Sequence, residues 1–511
     1  MSTRPSAGPG PQAEGPRGNI HSAPQVPVQP DQADAATKVA PVVEAGTVSP
    51  DKPAPAAAGA AAQPRDGRLP DAPQGSETSV ECLARLAYSL LLYLLAPLVW
   101  LMLARRGRRA GGRWEVLGAA RFGWYRGQPA PARTGAQWVH AVSVGETRAA
   151  QPLIQQILDA GHPVLLTHMT ATGRAEGERL FAAAIASGQL QQTWVPYDFL
   201  GATRRFLAYH QPAQGILIER EIWPNLLAAA RRQGVSMALA SARFSGKSLR
   251  QARRFAWLIR PALRGLAPVL AQTQADAGRL ALAGARNVQV VGNLKFDQQV
   301  PPRQLQAGRG WRIRLGRPVI LIASTREGED VLMAQAIAAL RRTHLQAADC
   351  LFVLVPRHPQ RFDSAAAILA ERELPYLRRS ASEEVPLPGL ETAVLLGDSM
   401  GELPFFYAAA DVAIVAGSFE PMGGHNLIEA CLAGAPVIVG THTFNFKDAV
   451  EDALACGACL RAGDADAAVR LAWDLVCNDA RRTAMAARAR HWADSHTGAT
   501  GRMMAALGLA R

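Results

Sequence analysis

The chain has 511 residues, 49% of them hydrophobic and 19% charged, which is enough for two globular domains and too apolar on average for a disordered protein. A formal charge of +13 favours anionic partners, whether nucleic acid, a membrane surface or a phosphorylated substrate. No RRM, zinc-finger or basic-region pattern supports the first, so no nucleic-acid partner is expected. The six cysteines are too few for a disulfide scaffold, and Cys456-x-x-Cys459 lacks a second pair or a nearby histidine, so it reads as reduced thiols in a packed helical region.

Residues 1–81 are dominated by Pro, Ala, Gly and Gln, with no apolar periodicity. They cannot bury enough surface to offset the entropy of ordering, and are expected to form a disordered tail. Residues 83–104 come next as a membrane-anchor helix. Leu86 to Leu103 is apolar apart from Ser89 and two tyrosines, with Arg85 before it and Arg105, Arg106, Arg108, Arg109 and Arg113 after it. The length just suffices to span a bilayer, Pro97 is expected to kink the helix or stop it short, and the basic flank places the rest of the chain in the cytoplasm. A monotopic helix and a buried core helix remain open alternatives.

From Gln137 onward short apolar runs alternate with helix-length amphipathic segments. Gln137–Val142, Pro163–Thr167, Gln214–Ile218 and Val235–Ala240 form one series. Pro318–Ala323, Leu351–Val355, Ala393–Leu396, Asp411–Ala416 and Pro436–Val439 form another, and a Pro- and Arg-rich stretch near 298–312 separates them. Alternating β and α units predict parallel sheets covered by helices, hence two doubly wound α/β domains, 113–300 and 301–511. Ligands in such sheets bind beyond the carboxyl ends of the strands.

The candidate residues stand there. After the first strand come Ser143, Val144, Gly145 and Glu146; Glu146 can act as a general base, or simply favour the first turn of a helix through its dipole. After Ile218 come Glu219, Arg220 and Glu221, whose two carboxylates can bind acceptor hydroxyls, help orient a basic group, or merely pair in a solvated loop. Lys295, in Gly292–Asp297, can offer a cation to a carboxylate or phosphate across an interdomain cleft. In the second half Pro356 and Arg357 follow one strand, Met400, Gly401 and Glu402 another, and Gly423, Gly424, Asn426 and Glu429 a third. An arginine suits bidentate phosphate binding, small residues let backbone N–H groups approach an anion, and Glu429 can take ribose hydroxyls. Three such strand ends together suggest a nucleotide site.

In this order, HAVSVGE, EREIWPN, SARFSGKS, GNLKFD, ASTREGED, PRHPQR, GDSMGEL, GGHNLIEA and GTHTFNFKD resemble the 3-deoxy-D-manno-octulosonic acid (Kdo) transferase family of lipopolysaccharide synthesis, from about residue 83 to the end. The YLLAPLVW helix with its trailing arginines is similar to that family's anchor. The resemblance implies a GT-B fold, two Rossmann-like domains facing a central cleft, with an acceptor-binding domain at 113–300 and a CMP-sugar-binding domain at 301–511. It implies that Glu146 is the base, that Glu221 and Lys295 assist, and that Pro356, Arg357, Met400, Gly401, Glu402, Asn426 and Glu429 contact CMP. Ser143 and Gly424 complete the expected substrate contacts, and Lys295 or Arg243 holds the Kdo carboxylate. CMP-Kdo is then the donor and lipid IVA the acceptor, at the cytoplasmic face of the bacterial inner membrane, with no cofactor and no metal. Asp464-Ala465-Asp466 is the only D-x-D pattern, and a single leaving phosphate can be neutralised by arginine and helix N-termini. Arg220, Ser241 and Arg326 depart from the family's usual residues, which leaves acceptor detail open. A heptosyltransferase-like GT-B enzyme and a non-catalytic, membrane-tethered glycolipid-binding module are the competing readings.

Overall fold

A strand buried on both faces must be apolar throughout, and Val139, Ile216, Ile320, Leu321 and Ile322 are all fully buried. In the computed structural model, which describes residues 78–110, 114–125, 134–298 and 300–510, these runs become parallel strands. The expected tail lies almost wholly outside the described residues, as do Arg113 and the side chains of Arg106 and Arg109.

The first sheet comprises β1 (Gln137–His140), β2 (Val164–His168), β3 (Leu190–Trp194), β4 (Gln214–Ile218), β5 (Ser236–Ala242), β6 (Val269–Ala271) and β7 (Val288–Val290), in the order β3-β2-β1-β4-β5-β6-β7. The second comprises β8 (Val319–Thr325), β9 (Leu351–Pro356), β10 (Tyr376–Arg378), β11 (Val394–Leu396), β12 (Val412–Val415), β13 (Val437–Val439) and β14 (Cys459–Arg461), in the order β10-β11-β9-β8-β12-β13-β14. Every pairing is parallel. Strand order reverses between β1 and β4 in one lobe and between β8 and β12 in the other, which is where open α/β sheets bind ligands. Two such lobes facing each other form a GT-B architecture.

Three features were not legible in the pattern. The helix Ser79–Ala110 runs unbroken through Pro97. The final helix, Ala499–Ala506, leaves the second lobe: Ala499, Met503, Met504 and Leu507 pack in the first lobe's core with Val139, Leu153 and Ile216. The expected 301–511 unit therefore gives its last turns to the other domain. Finally, exposed Cys456 caps the helix Lys447–Ala455, while buried Cys459 opens β14, so the pair does not share a helix.

Candidate active site

At the carboxyl end of β1 the chain turns directly into the helix Val144–Asp159, with Ser143 as its N-cap and Glu146 in its first turn. The carboxylate folds back, and the Val142 N–H donates to its Oε2 at 2.6 Å. Next to β1, β4 is followed by Glu219, a non-glycine residue held at φ +63°. Such a left-handed backbone persists only where surrounding structure imposes it. Glu219 accepts from the Lys295 ammonium at 2.8 Å. Glu221, two residues on, accepts from the Trp223 indole at 2.7 Å and lies 3.9 Å from His140. Burial holds the His140 imidazole down at about 3, so this approach involves a neutral ring.

Burial pushes the Glu146 pKa up to about 8. The Glu219 carboxylate and, less strongly, Glu221 raise it too, while the Val142 N–H and the Lys295 ammonium oppose the rise. Burial also raises Glu221. Two carboxyls, Glu146 and Glu221, whose proton affinities are driven upward by desolvation and neighbouring negative charge are suited to proton transfer.

The second lobe presents cations and glycine turns. Arg357, after β9, has its pKa lowered by burial and then by the Arg148 guanidinium, with Glu429 opposing. Arg148 lies one half-turn beyond Glu146 on the first-lobe helix, so the two lobes meet electrostatically at this point. Glu429 is raised by burial and eased down by a 3.2 Å hydrogen bond from Asn426 Nδ2. Asn426 Oδ1 also accepts from the Ile428 N–H at 3.1 Å, fixing the turn that opens the next helix.

Gly417 at φ +73° has no room for a side chain, because a Cβ there would lie 2.5 Å from the His425 ring. Gly423 and Gly424, at φ +93° and +77°, make the next left-handed turn. The whole loop hangs on the fully buried Glu329, whose carboxylate accepts from the N–H groups of Gly417 at 2.7 Å, Phe419 at 2.9 Å and Arg326 at 2.9 Å. One side chain thereby registers the loops after β8 and β12.

Between the lobes lies a cavity of about 370 Å³. Arg243, Asn293 and Lys295 line it from the first lobe, and Ile428, Asn445 and Asp448 from the second. Arg243 crosses the gap, donating to the Asn445 carbonyl at 3.0 Å and approaching Asp448 at 3.8 Å.

The structure thus sets Glu146 within electrostatic reach of Glu219, Glu221 and Lys295, with Ser143 capping its helix. In the second lobe Arg357 is electrostatically linked to Glu429, which Asn426 binds. Gly424 stands two residues before Asn426, and Pro356 is buried at the end of β9. Lys295 is the one of these that lines the interlobe cavity. Met400 is exposed, and Gly401 sits at φ +85°. Glu402 is already engaged by Arg379 Nη2 at 2.8 Å and by the Ser399 hydroxyl. Sequence reasoning gave no role to Arg148, His425 or Glu329, and placed Glu219 among the strand-end carboxylates without naming the Lys295 ammonium as its partner. Glu219 carried a signal, being the first residue after a strand; Arg148 and Glu329 carried none, since only the packing of one lobe or loop against another gives them meaning.

Residues 118–298 match the family model described as 3-deoxy-D-manno-octulosonic-acid transferase (kdotransferase), and residues 388–492 match the model for glycosyl transferases group 1. A 3-deoxy-D-manno-octulosonic acid transferase of Bordetella pertussis is 60% identical over 426 residues, covering 83% of this chain and 99% of the relative. The chain belongs to the Kdo transferase family. A second Kdo transferase, from Haemophilus influenzae, is 32% identical over 371 residues, 71% of this chain and 84% of that one. Among solved structures, the C-terminal CMP-Kdo binding domain of WaaA from Acinetobacter baumannii is 30% identical, with a TM-score of 0.35, covering 37% of this chain and 97% of that chain. The protein is a glycosyltransferase of lipopolysaccharide synthesis. The Kdo transferase match covers the lobe that carries Glu146, Glu219, Glu221 and Lys295.

Proposed function

We propose that the enzyme transfers Kdo from CMP-Kdo to the 6′-hydroxyl of lipid IVA by a single inverting displacement that needs no metal. The observation that carries this reading is the placement of Glu146: a carboxylate with raised proton affinity, at the strand-order reversal of one lobe, on the helix whose Arg148, held by Glu176 at 2.5 Å, acts electrostatically on Arg357 and Glu429 of the other. Glu146 removes the hydroxyl proton as that oxygen attacks the anomeric carbon. Arg357, with the turns at Met400–Glu402 and Gly424–Asn426, receives the CMP phosphate. Lys295 and Arg243 hold the Kdo carboxylate, and Ser143 and Glu221 line the acceptor side.

The exposed basic residues Lys247, Arg250, Arg253 and Arg254, on the helix Gly246–Arg254 that follows β5 and Arg243, suit an acceptor carrying phosphates. The apolar helix Ser79–Arg105 is long enough to meet a bilayer, and the reading places the enzyme at the cytoplasmic face of the inner membrane.

The test is mass spectrometry of the product formed by purified enzyme, CMP-Kdo and lipid IVA in the presence of a chelator. A product one Kdo heavier or more, with CMP released, is expected; no product under these conditions, or thermal protection by ADP-sugars but not by CMP, would overturn the assignment.

A further inference from the structure

An anchor helix that crosses a bilayer leaves its protein behind at one end. The helix Ser79–Ala110 does not leave. Its half-buried and buried positions are 81, 82, 84, 85, 88, 89, 92, 96, 99, 100, 103, 104 and 107, which gather on one side along nearly the whole length. From Glu81 to Gly107 that stripe measures about 39 Å at 1.5 Å per residue.

All of it lies against the first lobe. Near the start, Glu81 pairs with Arg264 at 3.5 Å, and Arg85 Nη1 donates to Asn225 Oδ1 at 3.3 Å. The Ser89 hydroxyl accepts from Asn225 Nδ2 at 3.0 Å, and the Tyr88 hydroxyl donates to Asp198 at 3.0 Å. Further on, Tyr93 stacks on Phe199 at 4.6 Å, and Trp100 packs edge-on to Phe122 at 5.5 Å. At the far end Gly107 sits against Trp114, where an added Cβ would come within 2.9 Å of the indole.

If this helix spanned about 30 Å of hydrocarbon, either these contacts would break or Asp198, Asn225 and Arg264 would enter lipid with it. Asp198 accepts from the N–H groups of Asn225 and Leu226 at 3.1 and 2.8 Å, capping the helix Pro224–Arg232, so it belongs to the folded lobe. The opposite face of the long helix is bare: Leu83, Leu90, Leu94, Leu98 and Met102 are each about half exposed or more. Exposed Trp257 stands beside its N-terminal end, where it lines a cleft with Glu81 and Arg85. Exposed Trp124 follows Phe122 near the other end. Tryptophans prefer the membrane–water boundary, and Trp257 stands beside the start of the helix on the same lobe.

We infer that the helix lies in the plane of the membrane surface, clamped along its length to the first lobe, with its bare leucine face sunk into the lipid. This deepens the membrane reading proposed above and rests on it. The geometry also ties the membrane to the chemistry, because Asn225 stands in the first turn of the helix that follows the loop carrying Glu219 and Glu221. The helix therefore buttresses the acceptor wall directly, and a lipid hydroxyl can reach the cleft without its acyl chains leaving the bilayer.

The test uses the full chain in sealed inside-out vesicles, with a site-specific protease recognition sequence inserted immediately before Thr78. An in-plane helix keeps that site on the side of the lobes, so added protease cuts it as completely as in detergent. Protection until detergent is added would overturn the inference while leaving membrane attachment intact. In parallel, Leu90→Asp with Leu94→Asp should lower flotation with anionic vesicles at least tenfold, with an unchanged Tm because both side chains are exposed. Unchanged flotation would also sink the proposal, and failure of the parent protein to float at all would instead remove the membrane reading beneath it.

Discussion

At the scale of single residues, the controlling quantity is the proton affinity of Glu146. Its carboxyl titrates near 8 because burial and the Glu219 carboxylate both disfavour its charge, so near neutral pH the empty site holds it mostly protonated. A base must be ionised to act, so kcat/KM should rise with pH through about 8 and then level. Glu146→Gln should retain CMP binding while losing roughly 10²–10⁴-fold in rate, with the pH limb gone. A variant that kept the limb would assign it to another group. Lys295→Ala removes the ammonium that opposes the rise and leaves Glu219 unpaired, so the limb should move to higher pH. The same shift has a stability consequence. Because the folded pKa exceeds the ordinary 4.5, the protonated carboxyl's contribution is complete below about 4.5 and is lost as pH climbs through about 8. Glu146→Gln should therefore raise Tm relative to the parent above pH 8, and leave it nearly unchanged at pH 4, as seen by scanning calorimetry.

At the scale of elements, the site depends on loops whose positions are set by buried acceptors. Glu329 takes three backbone N–H groups from two strand ends. Truncation to alanine strands all three, so Glu329→Ala should cost about 3 kcal/mol or more and weaken CMP binding even though Glu329 lies beneath the cleft wall. Urea unfolding followed by nucleotide titration checks both. Asp297 does comparable work between lobes, accepting from the N–H groups of Gly498, at 2.6 Å, and Thr500 as the final helix begins. Asp297→Ala should free that helix, giving faster proteolysis near residue 498 and a lower Tm. Most of the strands were readable, because their apolar runs are buried on both faces. Five strands were not: β3 is interrupted by Gln191 and Gln192, β6 and β14 are only three residues long, and β7 and β10 leave Val290 and Leu377 exposed. Pro97 was expected to kink the long helix or stop it short; the helix does not stop there, and contacts to the first lobe lie on both sides of it.

At the scale of the molecule, two lobes share one cavity, and Arg243 already bridges it. A ligand binding both walls should stabilise the whole: at a hundredfold excess over Kd, CMP should add about 2.7 kcal/mol, visible as a rise in Tm that ADP does not reproduce. Arg357→Ala should abolish most of that rise, because it removes the phosphate partner from the second lobe.

The sequence alone determined the alternation of strands and helices, hence two parallel sheets, because periodicity and burial are local consequences of side-chain polarity. It also located the strand-end loops where chemistry gathers and, through the ordered run of motifs, the family. Tertiary structure decided the rest. Which lobe receives the last helix, which carboxylate pairs with Lys295, why Glu146 holds its proton and which face of the long helix is buried all depend on groups far apart in the chain. Desolvation and pairing act across space, so their effects are not visible in the order of the residues.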